Sequence, residues 1–296
     1  MKFKFRSEDL SFLYQNFKIK KLSKCIICRN SKIRNWTISQ KYPASVCKKC
    51  NLVFMNKQLE EDGLNEYYSN YIGKRRINNK LKMKQRKQQY LIDRDLIQKF
   101  VSKGKILDVG CNGGFFLDTF SNKFTKFGTE VDKESVNYAK KYFPEFGKNI
   151  YLTDITDSKF KNNFFDLIIM RGVIEHVSEP GEYLKRISKY LKKNGYLYIC
   201  ATPNGESQAF KIYRERWNLF HPVQHLWHFS PNNLEKFCKN YNLKLIYKDF
   251  YYLGTPYENF NSDIKLIVNE LSGKSKRKAI SPPFFENMMS LIFQKN

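Results

Sequence analysis

Long apolar segments are missing from this sequence of 296 residues. No run of about 18 uncharged apolar residues occurs, so the sequence predicts no transmembrane helix. Residues 1–9 carry several charges and lack the apolar core that a secretory signal requires. We therefore expect a cytoplasmic protein.

Acidic residues are also scarce. The chain has 28 Asp and Glu against 53 Lys and Arg, a formal net charge of +25. Residues 1–104 hold 25 of the basic and 8 of the acidic residues, and the densest basic run is 74–87. Such a surface attracts RNA, DNA or anionic membranes. A chain rich in Lys, Asn, Ile, Phe and Tyr also reaches this charge by composition alone, so a polyanionic partner is the less favoured alternative.

Glycine is infrequent, with 14 residues, but three of the glycines fall within the short segment 110–114. The apolar run before it, 105–109, predicts a buried parallel strand. Glycines after a strand allow positive φ angles and a close approach of the backbone to a ligand. Residues 115–117 are expected to begin a helix whose free N–H groups face that ligand. The segment therefore predicts a nucleotide-like ligand at the end of the strand.

An acidic residue in the next predicted strand supports this prediction. Glu130 ends that strand about 20 residues after the turn, where a carboxylate can accept hydrogen bonds from a ribose diol. The Gly-x-Gly-x-x-Gly pattern of nucleotide dehydrogenases is absent, and Asp108 stands in front of the glycines instead. Hydride-transfer enzymes therefore fit the sequence less well.

The glycine segment resembles the first motif of the class I S-adenosylmethionine-dependent methyltransferases. Residues 107–114 read Leu-Asp-Val-Gly-Cys-Asn-Gly-Gly, where the family commonly has hydrophobic-Asp-x-Gly-Cys-Gly-x-Gly. Asn112 replaces the middle glycine, and asparagine tolerates the left-handed conformation better than other non-glycine residues. Segments 151–155, 164–177 and 191–204 resemble the family's third, fourth and fifth strands in the same order.

The resemblance, which covers residues 80–253, implies a fold and a cofactor site. Alternating strands and helices predict a Rossmann-like, doubly wound α/β sheet, to which the family adds a last, antiparallel strand. The predicted strands lie at residues 105–109, 125–130, 149–152, 166–170, 195–201, 243–251 and 288–294. The residues that the resemblance places around S-adenosylmethionine are Asp108, Gly110, Asn112 and Gly114 at the methionine part, Glu130 at the ribose, Asp154 and Ile155 at the adenine, and Arg171 after the fourth strand.

Two Cys-x-x-Cys pairs precede this region. The first pair consists of Cys25 and Cys28 and the second of Cys47 and Cys50, with 18 residues between the pairs. This spacing is typical of a four-thiolate zinc ribbon, with disulfides or unbound thiols as the alternatives. Four protein ligands leave no position open for a substrate, so the Zn²⁺ ion would be structural. The remaining cysteines, which we expect to be small packed residues, are Cys111, Cys200 and Cys238.

The second cysteine pair and the residues after it resemble the N-terminal region of bacterial methyltransferases from polysaccharide and secondary-metabolite pathways. The resemblance rests on residues 46–56 and on the tyrosine-rich residues 66–71. In sugar C-methyltransferases a similar module helps to cover the substrate. The predicted organisation is a zinc-ribbon-like module at 1–72, a basic helical linker at 73–104 and a methyltransferase domain at 105–296, with an irregular insertion at 255–283.

A histidine-rich segment, residues 217–231, contains three of the four histidines in the chain. It resembles the Pro-x-His-Leu-aromatic-His-Phe-Ser-Pro segment of many bacterial enzymes of this class. In related sugar C-methyltransferases a Glu-His pair at this place acts on the substrate. Gln224 replaces the Glu here and cannot accept a proton, so His225 is the remaining base. The alternative is that His225 and His228 only cap or pack the helix predicted to begin at Ser230.

Glu175 and His176 form the other acid–base candidate, directly after the fourth predicted strand. In the ubiquinone-pathway O-methyltransferases a comparable Glu-His pair, preceded by a Glu three residues earlier, suits a divalent metal ion. Gly172 occupies that earlier position here, so a metal-dependent reaction of that type lacks one ligand. A structural role at the start of a helix is the alternative for both residues.

The sequence therefore predicts an enzyme that moves a methyl group from S-adenosylmethionine to a small-molecule or carbohydrate-like acceptor in glycan or secondary-metabolite biosynthesis. The alternatives are a quinone-pathway O-methyltransferase, an RNA-modifying methyltransferase that uses the basic ribbon, and a scaffold protein with an empty cofactor site. Against RNA, the fourth-strand region lacks the Asn/Asp-Pro-Pro-aromatic signature of base N-methyltransferases. The nearest string, residues 281–284, lies far later in the chain.

Overall fold

The computed structural model describes residues 14–37, 43–60, 62–64, 67, 80–274 and 286–296, and for residues 80–82 only the backbone. Some segments that the sequence analysis named lie outside the described residues. They are residues 1–9, the tyrosine-rich segment except Tyr67, the basic residues 74–79, and residues 275–283 with the Pro-Pro string at 281–284. Within the described ranges, no helix has both the length and the apolarity that crossing a membrane requires.

Five short strands form the N-terminal part of the protein. They are β1 (Ile19–Lys21), β2 (Ile33–Asn35), β3 (Ala44–Cys47), β4 (Val53–Met55) and β5 (Lys57–Leu59). Strand β1 pairs with β5, whereas β2, β3 and β4 form an antiparallel meander. Strands of three or four residues make a weak sheet alone, so this part depends on packing against the rest of the chain.

A seven-stranded sheet forms the centre of the protein, as predicted. The strands after β5 are β6 (Gly104–Val109), β7 (Phe124–Glu130), β8 (Ile150–Leu152), β9 (Phe165–Arg171), β10 (Leu191–Pro203), β11 (Trp227–His228), β12 (Leu243–Asp249) and β13 (Met288–Lys295). All of these except β11 belong to the central sheet, in the order β12-β13-β10-β9-β6-β7-β8. Only β13 runs antiparallel to its neighbours, which confirms the predicted orientation of the last strand.

The strand order of this sheet reverses at β6. Strands β7 and β8 extend the sheet on one side of β6, and β9 pairs with β6 on the other side. In open parallel sheets, ligands bind outside the carboxyl ends of the strands at such a switch point. The glycine segment 110–114 follows β6 directly and therefore lies at this place.

Helices cover both faces of the sheet. They are α1 (Lys80–Gln98), α2 (Lys133–Tyr142), α3 (Pro144–Gly147), α4 (Pro180–Tyr190), α5 (Gln208–Tyr213), α6 (Pro231–Lys239) and α7 (Phe260–Leu271). Helix α6 begins as predicted, because the Ser230 side chain accepts from the Asn233 N–H and the Asn233 side chain accepts from the Ser230 N–H. This reciprocal pair is a capping box, with Pro231 at the first helical position.

Two local predictions were wrong. Residues 115–117 do not begin an α-helix, since only a single 3₁₀ turn, Leu117–Thr119, follows the glycines. The aromatic residues, Asp, Thr and Ser of residues 115–121 favour a helix weakly. The next strand, β7, already begins at Phe124 and leaves little length for a helix. The segment 255–283 is not irregular throughout, because α7 lies within it. A buried position of α7 is occupied by Asp263, which accepts a hydrogen bond from the Tyr252 hydroxyl at 2.7 Å. Because this buried residue is polar, the pattern of apolar residues in the sequence did not predict the helix.

The N-terminal strands join the rest of the protein through β11. Strand β11 pairs antiparallel with β4, with Trp227 opposite Phe54. The Asn233 side-chain amide also donates to the Cys50 carbonyl at 2.6 Å. Leu52 and Phe54 belong to the same buried apolar cluster as Trp227 and many residues of the central sheet. Strand β4 and the turn at Cys50 therefore hold the histidine-rich segment. The domain boundaries near residues 72 and 104 stay predictions.

Candidate active site

The glycine segment after β6 forms a turn with three left-handed residues. The φ angles are 66° at Gly110, 52° at Asn112 and 80° at Gly114. Space is limited as well, since a Cβ atom at Gly110 would lie 3.1 Å from Val173 Cγ2. Asn112 adopts the conformation that the sequence led us to expect of it, and its Oδ1 accepts from the Gly113 N–H at 2.8 Å. The side chain thus supports its own turn.

Replacing Asn112 by glycine tests what this side chain does. Asn112→Gly is expected to keep the affinity for S-adenosylhomocysteine within about threefold, with a change in stability of about 1 kcal/mol or less. Asn112→Val, which puts a β-branched residue at positive φ, should lower both stability and affinity. Calorimetry and thermal unfolding measure these effects. A loss of affinity of tenfold or more in Asn112→Gly would instead mean that the amide contacts the cofactor.

Glu130 connects the turn to the end of β7. Its Oε2 accepts from the Asn112 N–H at 2.7 Å, and its Oε1 accepts from the N–H groups of Val131 at 2.8 Å and Asp132 at 2.9 Å. Burial raises the pKa of Glu130, while the three backbone N–H groups oppose this shift. The carboxylate is therefore fixed beside the glycine turn, at the place where the resemblance puts a ribose.

Asp108 provides a direct test of whether the turn fits a cationic ligand. The side chain is 3% exposed, and among the described residues its Oδ1 has no hydrogen-bond partner. Burial raises the pKa of Asp108 to about 8, against the opposing effect of the Arg171 charge. A buried acceptor without a partner costs free energy. The ammonium group of a methionine moiety would supply the missing donor, so the turn fits S-adenosylmethionine.

Arg171 holds helix α1 against the end of β9. Its Nε donates to Asp93 Oδ2 at 3.1 Å, and its guanidinium lies 4.6 Å from the centre of the Tyr90 ring. Burial is the largest single influence on the pKa of Arg171 and lowers it, but the Asp93 carboxylate and other nearby acidic groups together raise the pKa above its usual value. The structure thus places Arg171 in a contact with α1, and its predicted contact with the cofactor stays a prediction.

Asp154 and Ile155 lie after β8, where the resemblance puts the adenine. Asp154 Oδ1 accepts from the Thr156 N–H and hydroxyl, both at 2.8 Å, and Oδ2 accepts from the Tyr183 hydroxyl. Ile155 is completely buried. Asp154 therefore shapes the turn after β8 and ties it to helix α4. A contact of either residue with adenine stays a prediction.

Glu175, His176 and His225 come together after the end of β9. One ligand atom from each side chain lies within 4.8 Å of those of the other two. The rings of His176 and His225 have their centres 4.7 Å apart although 48 residues separate them in the sequence. The two acid–base candidates of the sequence therefore form a single cluster. Because β9 pairs with β6, with Met170 opposite Val109, this cluster lies beside the glycine turn.

Burial controls the ionisation of this cluster. It raises the pKa of Glu175 to about 8, although the Thr202 hydroxyl donates to Glu175 Oε2 at 3.1 Å. It also lowers the pKa of His225, and the neighbouring histidines lower it further. His225 Nδ1 lies 2.5 Å from the Leu219 carbonyl oxygen, to which it donates when the ring is neutral. The lone pair of His225 is then on Nε2.

His228 has a different role from His225. Its ring stacks on the Phe220 ring, with the two ring centres 5.0 Å apart, and its ring centre is also 5.0 Å from that of Phe210. Both ring nitrogens are buried and, among the described residues, have no hydrogen-bond partner. Burial lowers the pKa of His228 to about 3. His228 therefore fits the packing alternative.

The four paired cysteines also come together. The Sγ atoms are 3.5 Å apart for Cys25 and Cys50, 3.5 Å for Cys28 and Cys47, and 3.8 Å for Cys28 and Cys50. A tetrahedral zinc ion with Zn–S bonds of about 2.3 Å sets its sulfurs about 3.8 Å apart. None of the seven cysteines forms a disulfide. The four thiols thus fit one zinc ion.

Two matching turns present these thiols. In the first, the Arg29 N–H donates to the Cys25 carbonyl at 3.0 Å, and in the second the Asn51 N–H donates to the Cys47 carbonyl at 3.0 Å. Arg29 and Asn51 both adopt positive φ, 55° and 60°. Each Cys-x-x-Cys pair therefore ends in the same left-handed turn, which directs both of its sulfurs to one point.

Sequence reasoning did not find the groups that orient the acid–base cluster. Thr202 lies near the end of β10, and the Leu219 carbonyl lies in an irregular segment. The position of Thr202 at the carboxyl end of a central strand was a usable signal, since ligands bind at that edge. A backbone carbonyl such as that of Leu219 leaves no signal in a sequence.

The doubly wound sheet, the glycine turn at its switch point and the acid that ends the next strand define a class I S-adenosylmethionine-dependent methyltransferase. A family model described as a methyltransferase domain matches residues 83–248, more than half of the sequence. The chain belongs to that methyltransferase family.

Curated relatives and solved structures are similar to parts of the chain. The ubiquinone biosynthesis O-methyltransferase of Caulobacter sp. (strain K31) is 28% identical over 145 residues, 45% of this chain and 56% of the relative. The enzyme of the same name from Rickettsia canadensis is 30% identical over 112 residues, 37% of this chain and 47% of the relative. This chain therefore spans about half the length of these relatives. The solved complex between the Haloferax volcanii Trm112 methyltransferase activator and a methyltransferase matches with a TM-score of 0.55 at 13% identity, covering 74% of this chain and 94% of that one. At this identity the match concerns the fold.

Proposed function

We propose that this methyltransferase modifies a small-molecule acceptor of carbohydrate-like type, in glycan or secondary-metabolite biosynthesis, and that Glu175, His176 and His225 act on the acceptor. The observation that carries the proposal is the convergence of these three side chains, which follow the strand that pairs with β6. Glu175 and His225 are 2% and 6% exposed. A nearly enclosed polar cluster suits a small hydroxylated molecule better than a nucleic acid.

In the proposed cofactor site, Asp108 would hold the ammonium group, Glu130 the ribose, and Gly110 and Gly114 would allow the close approach of the backbone. S-adenosylmethionine, when bound, supplies a methyl group that is already activated towards displacement. The protein then has to align the acceptor with that methyl group and remove the proton of the acceptor. The fixed orientation of His225 and the buried position of Glu175 suit this second task.

We also propose that Cys25, Cys28, Cys47 and Cys50 hold a structural zinc ion. Four thiolates leave no open coordination position, so the ion would take no part in the reaction. Its effect on the reaction would be indirect. Strand β4 follows the second cysteine pair and pairs with β11. Strand β11 begins at Trp227, two residues after His225. The ribbon thereby supports the segment that carries His225.

Glu130→Ala tests the cofactor site. Hydrogen bonds to a charged group contribute about 1.5–3 kcal/mol, so the affinity for S-adenosylhomocysteine should fall by about 10- to 100-fold. Glu134→Ala is the matched control, because Glu134 is an exposed acid on the nearby helix α2 and its removal should leave the affinity unchanged. Titration calorimetry measures both variants. Equal affinities of Glu130→Ala and the unmodified protein would contradict the assignment.

The acceptor class is tested with S-adenosylmethionine that carries tritium in its methyl group. The full chain is incubated separately with nucleotide-linked sugars, with ortho-dihydroxy aromatic acids and with RNA transcripts. Label is expected in a sugar, and its absence with Glu130→Ala would tie the transfer to the cofactor site. Label in RNA alone, together with salt-dependent RNA binding, would contradict a small-molecule acceptor.

An aromatic diol of a quinone pathway is the second candidate acceptor. Two observations favour it: the names of the curated relatives, and the pairing of Glu175 with His176, which resembles the Glu-His pair of the ubiquinone-pathway enzymes. The ortho-dihydroxy aromatic acids in the same assay test this candidate directly.

A further inference from the structure

Helix α7 is attached to the rest of the protein largely through its acidic residues. Asp263 is buried and accepts a hydrogen bond from the Tyr252 hydroxyl at 2.7 Å. One helical turn and a half further on, Glu270 forms an ion pair with Arg216. Two apolar residues of α7 also face the protein, but they are only partly buried. The side of α7 that contacts the protein therefore contains both of its carboxylates.

Another side of α7 exposes apolar residues to solvent. Their spacings of four, four and three residues place them in one line along the helix. We call them the α7 stripe: Phe260 (41% exposed), Ile264 (37%), Val268 (56%) and Leu271 (68%). Among the described residues, four of the ten exposed large hydrophobic residues therefore lie on this one helix. The apolar side of a surface helix ordinarily faces the core, so the polarity of α7 is reversed and indicates a binding surface.

The exposed apolar area matches what a homodimer interface needs. Leu253, in the loop before α7, adds a fifth apolar side chain that is 61% exposed. At ~200 Å² for a fully exposed large apolar residue, the α7 stripe and Leu253 present roughly 500 Å². A standard interface takes about 800 Å² from each partner, and about 65% of a homodimer interface is apolar. This surface therefore supplies the apolar part of such an interface.

The local charge discriminates between possible partners. Residues 258–274 contain three acidic residues and two lysines, whereas the whole chain has a net charge of +25. A nucleic acid or an anionic membrane is attracted to the basic parts of the chain rather than to this nearly neutral one. Two copies of the chain repel each other over most of their surfaces, and this repulsion is weak at α7. The charges therefore favour a second copy of this chain as the partner.

We propose that the α7 stripes of two copies pack antiparallel about a two-fold axis and form a homodimer. The axis passes midway between Ile264 and Val268, so that Ile264 of each copy lies opposite Val268 of the other. The same alignment brings the exposed Glu258, before one helix, opposite the exposed Lys274, after the other. It also brings the positive N-terminal end of each helix dipole to the negative C-terminal end of the other. Opposite charges thus meet at both ends of the pair.

Sedimentation velocity of the full chain tests the dimer. Dimers are expected at about 50 µM protein, and added salt should strengthen them because it screens the repulsion between the copies. Ile264→Glu and Val268→Lys should each weaken the dimer at least about thirtyfold. An equal mixture of these two variants should recover it, because the introduced carboxylate of one copy then faces the introduced ammonium group of the other. Leu152→Lys is the matched control, since Leu152 is 51% exposed on β8, outside the stripe, and should leave the dimer unchanged.

An unmodified chain that stays monomeric at about 100 µM, or dimers that neither variant weakens, would overturn the proposal. A mixture of the two variants that stays monomeric would overturn the antiparallel arrangement. A monomeric chain that binds phosphatidylglycerol vesicles, and loses this binding in Val268→Lys, would assign the stripe to a membrane instead. Circular dichroism verifies that the variants are folded, which is expected because Ile264 and Val268 are both exposed.

Discussion

Cys47→Ser is expected to release zinc from the ribbon and to reduce methyl transfer below detection, while S-adenosylhomocysteine still binds within about threefold. A structural zinc ion contributes roughly 10–16 kcal/mol to the folding of small zinc modules, so the ribbon strands should lose their order without it. Strand β4 would then no longer hold β11, which follows His225 closely. The glycine turn after β6 has no direct part in the pairing of β4 with β11. Metal analysis, calorimetry and a methyl-transfer assay measure the three quantities.

Cys238→Ser is the control for this prediction. Cys238 is as buried as Cys47 but lies in helix α6, outside the four-cysteine cluster. The hydroxyl of the new serine should lower the free energy of unfolding by about 1–3 kcal/mol without removing zinc. If Cys47→Ser kept both zinc and activity, the four-thiolate site and its supporting role would be refuted.

His225→Ala is expected to lower kcat by about 10²- to 10⁴-fold, the range for a group that removes or controls a proton of the substrate. Affinity for S-adenosylhomocysteine should stay the same, because His225 belongs to the cluster with Glu175 and His176 and not to the glycine turn. The measurement is steady-state kinetics with the acceptor that the tritium assay identifies.

His221→Ala controls for the loss of an imidazole from the same segment. His221 is exposed and packs edge-on against His225, and its removal should change kcat by no more than about threefold. A kcat for His225→Ala within the same range would show that the acid–base cluster does not act on the acceptor.

The central sheet was predictable because its strands are short apolar runs that end in chemically distinct residues. Residues 106–109 and 167–170 are buried, as expected of central parallel strands that are covered on both faces. The glycines and Glu130 mark the ends of two neighbouring strands. A local pattern sufficed here, since parallel strands bring their carboxyl ends to one edge.

Other features depend on contacts between distant parts of the chain. Strand β11 has only two residues, and it forms because β4 offers an unpaired edge more than 170 residues earlier. The approach of His225 to His176 follows from this pairing, so the sequence presented them as separate candidates. The prediction of a helix after the glycines was wrong for a local reason, because residues 115–121 favour a helix weakly and only Leu117–Thr119 form a 3₁₀ turn.

The central claim is that the glycine turn after β6 and the cluster of Glu175, His176 and His225 form one active site. The crystal structure of a complex with S-adenosylhomocysteine would test this claim most directly. We predict that the ribose hydroxyls donate to Glu130, that the ammonium group meets Asp108, and that the sulfur faces the cluster. A cofactor bound away from the glycine turn, or one whose sulfur points away from the three side chains, would contradict this account.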